Sequence, residues 1–300
     1  DSSIFSLNTI KKKIPTISFL SPDIRNHPVG FFTKDMLPEL SKRFKIVIFN
    51  TCEFEDEISI YTKNFSHWIN LKKKNEYEIA DAIFKKNVDV LIDSSGLTRT
   101  NNLGVFKLKP SKNQVSWAGW LASTNLKEMD YVISDHFCTR QKDEKFFTEK
   151  VLRMKNIWCT YSLSVLESLN LKKINNSESF IIYGCFQRPE KISKKVLQTW
   201  TEILIRVKKS KIFFINQSFN EYEKKKLMSY FNNNGISNKR IIFIQPKNRK
   251  EYLNSYNLVD INLDTFPYNG GTTLFESSYM GVPTLTKENN SFLFRCGESI

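Results

Sequence analysis

Short apolar runs alternating with stretches of helical spacing most constrain what this chain can become. Residues 16–20 (TISFL), 46–49 (IVIF) and 88–92 (VDVLI) read as buried strands, and 67–69, 114–117, 131–134 and 151–154 as shorter ones. Between them, Phe31, Phe32, Met36, Leu37 and Leu40 predict one helix; Ile79, Ala80, Ile83 and Phe84 share a face of another over 76–86. Residues 163–179 turn to serine, asparagine and lysine, which reads as a linker. The alternation then resumes, with strands at 180–183, 212–215 and 240–244 and helices at 193–207, 222–231 and 250–256. Strands alternating with helices make parallel sheets covered on both faces. The expectation is α/β, with two Rossmann-like domains facing a cleft: 14–165, and 178–300 with its C-terminal end cut short. Ligands of such sheets bind at the carboxyl ends of strands.

The last alternation is the most informative. Val259, Ile261 and Leu263 alternate with Asp260, Asn262 and Asp264, which is strand spacing. A turn-rich segment, PYNGGTT, follows, then a short helix over 274–280 closed by Gly281 with Pro283 beyond it. Strand, glycine turn and helix start together offer free backbone amides and a positive dipole end to an anion. Gly270 and Gly271 let a ligand approach the backbone closely, and the Thr272 and Thr273 hydroxyls can cap the helix or reach a phosphate. A plain strand-to-helix turn would look the same.

The motif DTFPYNGGTT, with Glu276 and GVP at 281–283, resembles the donor-site segment of the O-linked N-acetylglucosamine transferase family, glycosyltransferase family forty-one, closest to its bacterial members. In that family the paired threonines and the helix start hold the diphosphate of a UDP-sugar. Three further segments follow the family in order. SPDIRNHPVGFF (21–32) is similar to the segment carrying a histidine near the reacting sugar, and His27 matches it. A lone histidine beyond a strand end, with an ordinary pKa of about 6.5, is also suited to accepting or relaying a proton. YGCFQRPEKISKKVLQTW (183–200) resembles the segment whose lysine reaches the diphosphate, and Lys191 is the match. Gln187 and Arg188 stand there for the asparagine and glutamine of animal members. In PKNRKEYLNSYNLVD (246–260), Arg249 stands where the family has a lysine near the uridine, and Tyr252 where it has a histidine. The fourth segment, 92–120, keeps the DxxGxT, LxxF and QxxWxG framework. Leu97 replaces a histidine common in bacterial members, and Leu121, Ala122 and Ser123 fall where a proline-glycine-threonine turn is usual.

The resemblance implies a GT-B fold and inverting, metal-independent transfer of N-acetylglucosamine from UDP-GlcNAc to serine or threonine of a protein. Catalytic roles fall on His27 and Lys191. Donor contacts fall on Gln187, Arg188, Arg249, Tyr252, Gly270, Gly271, Thr272, Thr273 and Glu276. No cofactor or metal is expected beyond the UDP-sugar co-substrate. Alternatives are another sugar or an asparagine acceptor on the same fold, and a catalytically inactive binding module, which the departures at Tyr252, Leu97 and 121–123 motivate. Family members usually carry tetratricopeptide repeats before the catalytic region and a helical tail after it. The chain starts without methionine and stops just after SFLFRCG, so it is expected to be a fragment.

Composition narrows the rest. The net charge is +14, but the lysines are dispersed and no aromatic ladder accompanies them. Solvated faces therefore explain the charge better than a nucleic-acid partner. No apolar run approaches the roughly 20 residues of a membrane span, and no secretory signal opens the chain. The five cysteines form no CxxC and no zinc spacing with the three histidines, as expected of reduced thiols in a cytoplasmic protein.

Overall fold

The run TISFLS is strand β1, Thr16–Ser21, buried along nearly its whole length inside a seven-stranded sheet. The computed structural model of the chain describes residue 5, residues 13–169, residue 171 and residues 180–300. These fall into two compact units, Asp1–Leu166 and Glu167–Ile300.

In the first unit, β2 (Lys45–Asn50), β3 (His67–Asn70), β4 (Val90–Asp93), β5 (Asn113–Ser116), β6 (Tyr131–Asp135) and β7 (Lys150–Met154) join β1 in the order β3-β2-β1-β4-β5-β6-β7. Every pairing is parallel. The order reverses between β1 and β4, the doubly wound pattern whose ligands sit at the reversal. Leu20, Phe49 and Leu91 of the sheet pack with Ile79 and Ile83 into one core. Each such side chain stabilises the fold by about 1.5–3 kcal/mol when fully buried.

The helix predicted around Phe31 to Leu40 is two helices, α1 (Pro28–Thr33) and α2 (Met36–Ser41). Pro38 accounts for the break. Its ring conflicts with the carbonyl four residues back, at Lys34, so the helix restarts near Met36. Helices α3 (Glu57–Lys63) and, after α4 (Glu76–Lys86), the short α5 (Leu103–Lys107) had no prediction. The cap of α3 is a box formed by Asp56 and Ser59, which lacks the usual Glu or Gln at the third position.

The predicted linker at 163–179 needs correction at its start. Leu163–Glu167 is helix α6, with Val165 and Leu166 buried. Asp35 holds it, accepting from the Ser164 amide at 3.1 Å and from the Ser164 hydroxyl. Most of the remaining linker lies outside the described residues.

The second unit repeats the plan with β8 (Ile181–Cys185), β9 (Ser210–Ile215), β10 (Ile241–Ile244), β11 (Ile261–Leu263) and β12 (Thr284–Leu285), in the order β10-β9-β8-β11-β12, again all parallel. Helix α7 (Lys194–Arg206) buries Val196, Leu197, Trp200 and Leu204, its apolar stripe, against Phe214 and Phe231. It is followed by α8 (Glu221–Asn233), α9 (Arg249–Asn254), α10 (Thr272–Tyr279) and α11 (Cys296–Ser299). Helix α10 ends at Gly281, whose φ of +76° is left-handed. The Gly281 amide bonds the Ser278 carbonyl at 3.1 Å and the Val282 amide the Ser277 carbonyl at 2.9 Å, a Schellman closure. No helix among the described residues is long and apolar enough to cross a membrane.

Candidate active site

In the second unit the order reverses between β8 and β11, so the loops leaving their carboxyl ends lie side by side. One loop carries Gln187, Arg188 and Lys191 and the other runs from Asp264 to Thr273. They are tied by side chains far apart in sequence. Gln187 Nε2 donates to Thr273 Oγ1 at 2.7 Å, and Lys191 Nζ donates to the Asn269 carbonyl at 2.8 Å. The Lys191 ammonium also lies 3.9 Å from the centre of the Tyr268 ring.

The second loop is built around the buried Asp264 carboxylate. Oδ1 accepts from the Thr265 amide at 2.9 Å and the Gly270 amide at 2.8 Å, and Oδ2 from the Thr286 hydroxyl at 2.8 Å. The Thr265 hydroxyl closes the turn by donating to the Tyr268 carbonyl at 2.7 Å. A side chain at Gly270 would collide with this arrangement: a Cβ there would fall 2.3 Å from Gln187 Nε2 and 2.4 Å from Thr273 Oγ1. At Gly271 nothing lies within 4 Å, so that glycine borders open space. Gly271 is the N-cap of α10 and makes no side-chain cap. The threonines therefore do not cap the helix: Thr272 and Thr273 are its first two residues, and the Thr273 hydroxyl is bonded to Gln187. Their amides belong to the opening turn, which leaves backbone N–H groups without helical acceptors. The Gly270 amide is committed to Asp264 and is not among the donors offered outward.

Burial pulls the Lys191 ammonium down to about 8, partly offset by the Asp264 carboxylate, which favours its charge. Burial likewise pushes Asp264 up, opposed by its hydrogen bonds from the Gly270 amide and the Thr286 hydroxyl. Burial pushes the nearby Cys185 thiol up to about 12, which keeps it protonated.

A cavity of about 340 Å³ opens beside these loops, lined by Arg188, Asn216, Gln217, Asn248, Arg249 and Tyr252. Three of these, Arg188, Arg249 and Tyr252, are sequence-predicted. Arg249, on the first turn of α9, pairs at 2.5 Å with Glu276 of α10, which is only 1% exposed. Tyr252 packs edge-on to Phe186 and Tyr256, with ring centres 5.7 and 6.0 Å away, and the Arg249 guanidinium lies 5.6 Å above it. Burial pushes its phenol well up, so it stays neutral. The Tyr256 hydroxyl donates to the Thr273 carbonyl at 3.0 Å, linking this aromatic cluster to the start of α10. Sequence reasoning passed over Asn216 and Gln217, which follow β9, and Asn248, the N-cap of α9. Their positions just after strand ends were the available signal.

In the first unit, His27 is the N-cap of α1, and its Nδ1 accepts from the Val29 amide at 3.3 Å. A neutral imidazole accepting at Nδ1 carries its proton on Nε2, and the Asp23 carboxylate lies 3.9 Å from the same Nδ1. Asp93 ends β4, beside β1 at the reversal of the first sheet. Its oxygens accept from the Ser95 amide at 3.0 Å and the Gly96 amide at 2.9 Å, and burial raises its carboxyl to about 6. Leu97, half exposed, lies just beyond. Where the family's proline-glycine-threonine turn is missing, the Ser123 hydroxyl and the Thr124 amide instead bind the buried Glu149 carboxylate at 2.7 and 2.6 Å.

The profile of Glycosyl transferase family 41 matches residues 5–179 and 165–299. The chain belongs to that family. Among family 41 relatives, a probable UDP-N-acetylglucosamine–peptide N-acetylglucosaminyltransferase, SPINDLY of Arabidopsis thaliana, is 28% identical over 95% of this chain and 32% of that protein. Another from the same plant, SEC, is 24% identical over 90% of this chain and 29% of that protein. The chain thus spans about a third of the length of the relatives it matches. A lysine-to-methionine variant of Thermobaculum terrenum O-GlcNAc transferase superposes with a TM-score of 0.88 at 24% identity, over 95% of this chain and 55% of that one. The lipopolysaccharide galactosyltransferase WaaB superposes at 0.60 with 13% identity, over 90% and 79%. The fold is the GT-B fold of these transferases. Among the described residues of this family 41 chain, no group of three or more His, Cys, Asp or Glu side chains is placed to hold a metal ion.

Proposed function

We propose that this chain is the catalytic region of a transferase that moves N-acetylglucosamine from UDP-GlcNAc to a serine or threonine of a protein, with inversion and without a metal. The observation that carries this reading is the meeting of Lys191 and Gln187 with the turn that starts α10, at the sheet reversal of the second unit. As the sugar leaves, negative charge grows on the UDP diphosphate. The Lys191 ammonium and the amides of the α10 start are the groups available to meet it, a kind of help worth about 3–4 kcal/mol per donor. The neighbouring cavity, with Arg188, Arg249 and the neutral Tyr252, suits the nucleoside part, the tyrosine offering a face for stacking and the arginines forked donors. Glu276 contributes by holding Arg249 in place.

On the acceptor side the hydroxyl must lose a proton as it attacks the sugar. His27, the N-cap of α1 just beyond β1, is the group proposed to take up that proton or to orient the acceptor hydroxyl. The relatives named above support the sugar and the acceptor class. The protein is proposed to act in the cytoplasm, with tetratricopeptide repeats preceding this region.

The test compares UDP release and peptide modification by wild type, Lys191→Ala, Lys194→Ala and Lys195→Ala, with and without EDTA. Lys194 and Lys195 are exposed on the first turn of α7. Lys191→Ala is expected to lower kcat by about 100-fold, the loss of one transition-state donor, while the other two change little and EDTA changes nothing. Equal behaviour of all three variants removes the reading. A panel of nucleotide sugars and of serine, threonine and asparagine peptides separates a different sugar or acceptor, and no UDP release from any pair leaves a binding module.

A further inference from the structure

The Lys191 ammonium lies 3.9 Å from the centre of the Tyr268 ring. Several bonds hold the backbone of the loop that carries that ring. Thr265 Oγ1 fixes the Tyr268 carbonyl at 2.7 Å, Asn269 Nδ2 reaches back to the Thr265 carbonyl at 3.1 Å, and the Asp264 carboxylate gathers the amides on either side of the turn. The result is a two-sided seat for one cation: a carbonyl oxygen at 2.8 Å on one side and an aromatic face at 3.9 Å on the other. A flexible lysine without such a seat would sample many rotamers and would have to be ordered before it could act.

We propose that Tyr268 is a positioning residue for Lys191, its ring face and the Asn269 carbonyl together aiming the ammonium at the diphosphate of a bound nucleotide. The role rests on the reading of Lys191 as the donor-side cation. The seat itself does not, because it is formed by the chain alone. The relevant property of Tyr268 is the negative face of its ring, which stabilises the ammonium over the neutral amine. Its hydroxyl has no part in this. Burial pulls Lys191 down to about 8, Asp264, Cys296 and Cys185 favour its charged form and Arg188 opposes it; the ring face is proposed to add to the groups that keep it charged. Phenylalanine should therefore replace Tyr268, and leucine, equally apolar but without a π face, should not.

The experiment is competitive labelling of the intact protein with trace acetic anhydride between pH 6.5 and 10.5, read by peptide mass spectrometry. It gives the titration of Lys191 without reference to catalysis. Wild type and Tyr268→Phe are expected to share a midpoint, and Tyr268→Leu to titrate lower by roughly half a unit to one unit. Lys194, on the same peptide stretch, serves as the internal control and does not move. In turnover with UDP-GlcNAc, Tyr268→Leu is then expected to lose kcat more than to raise KM, with its alkaline limb displaced to lower pH, and Tyr268→Phe to match wild type. If leucine leaves the Lys191 midpoint unchanged, or phenylalanine shifts it as leucine does, the ring face does not hold the lysine and the proposal fails. If the midpoints move as expected while wild type turns over no nucleotide sugar, the seat stands and the enzymatic reading fails.

Discussion

Lys191 shows the tension between stability and chemistry within one residue. Its folded pKa, about 8, lies below the ordinary lysine value of 10.5. Below pH 8 the ammonium is charged in both folded and unfolded chains, and the folded state bears the whole cost of its burial. That cost is relieved as pH rises from 8 to 10.5. Lys191→Met should thus stabilise the protein at pH 7, by about 1–2 kcal/mol after allowing for the lost bond to the Asn269 carbonyl, while turnover collapses. The gain should vanish near pH 10.5. Denaturant unfolding at pH 7 and pH 10.5 checks this, and equal stability differences at the two values would show a solvated ammonium. In the sequence Lys191 is one lysine among several, and only the resemblance distinguished it. Its burial depends on a turn 78 residues away in the chain, which no local pattern reveals. Asp93 was legible as the end of a strand and as the first residue of the DxxGxT framework, and the amides that hold it, of Ser95 and Gly96, belong to the turn that follows.

At the scale of the element, the glycine turn before α10 separates two kinds of glycine. Gly270 is required by packing, since a Cβ would strike Gln187 and Thr273. Gly271 faces open space and is required, on our reading, only by the approach of a ligand. Gly270→Ala should lower thermal stability and, by prying Gln187 from Thr273, weaken UDP binding. Gly271→Ala should melt within about 1 kcal/mol of wild type and still lose at least tenfold in UDP affinity. Calorimetric unfolding and UDP titration of both variants distinguish them, and full UDP affinity in Gly271→Ala would show that nothing binds against that residue. The strand, turn and helix of this element were legible from period and composition. The role of the threonines was not, because a hydroxyl at a helix start can bond the backbone or a distant side chain, and here Gln187 takes it. The misread helix around Pro38 and the missed α3 share a cause: local punctuation, a proline inside a periodic run and a cap of unusual composition, outweighed hydrophobic spacing.

For the whole molecule, both sheets take the same order counted from their own first strands. The alternation of strands and helices made the fold class legible, because a parallel strand pair needs a crossover and this chain places a helical stretch in most of the gaps. The order itself was not legible, since several strands are apolar enough to sit in the middle. In the second sheet the reversal is joined by a slender pairing. Only Ile261 and Asn262 of β11 register with β8, at Tyr183 and Gly184. Just before them Asp260 grips the Ile182 backbone, its carboxylate accepting from the amide at 2.7 Å and its own amide donating to the carbonyl at 2.9 Å.

That narrow join has a consequence in chain entropy. It closes a loop of 78 residues. Each doubling of loop length adds about 0.6 kcal/mol to the cost of closure, so β11 docks against a heavier entropic load than strands paired with near neighbours. A molecule gripping both the β8 and β11 loops acts as a clasp across that loop, and its binding energy is felt most where the clasp shuts. Amide hydrogen exchange should show it: with UDP bound, protection is expected to rise most in residues 260–264 and least in β9 and β10. A uniform rise across the sheet would mean that the loop is already as firmly closed as its neighbours before any nucleotide arrives.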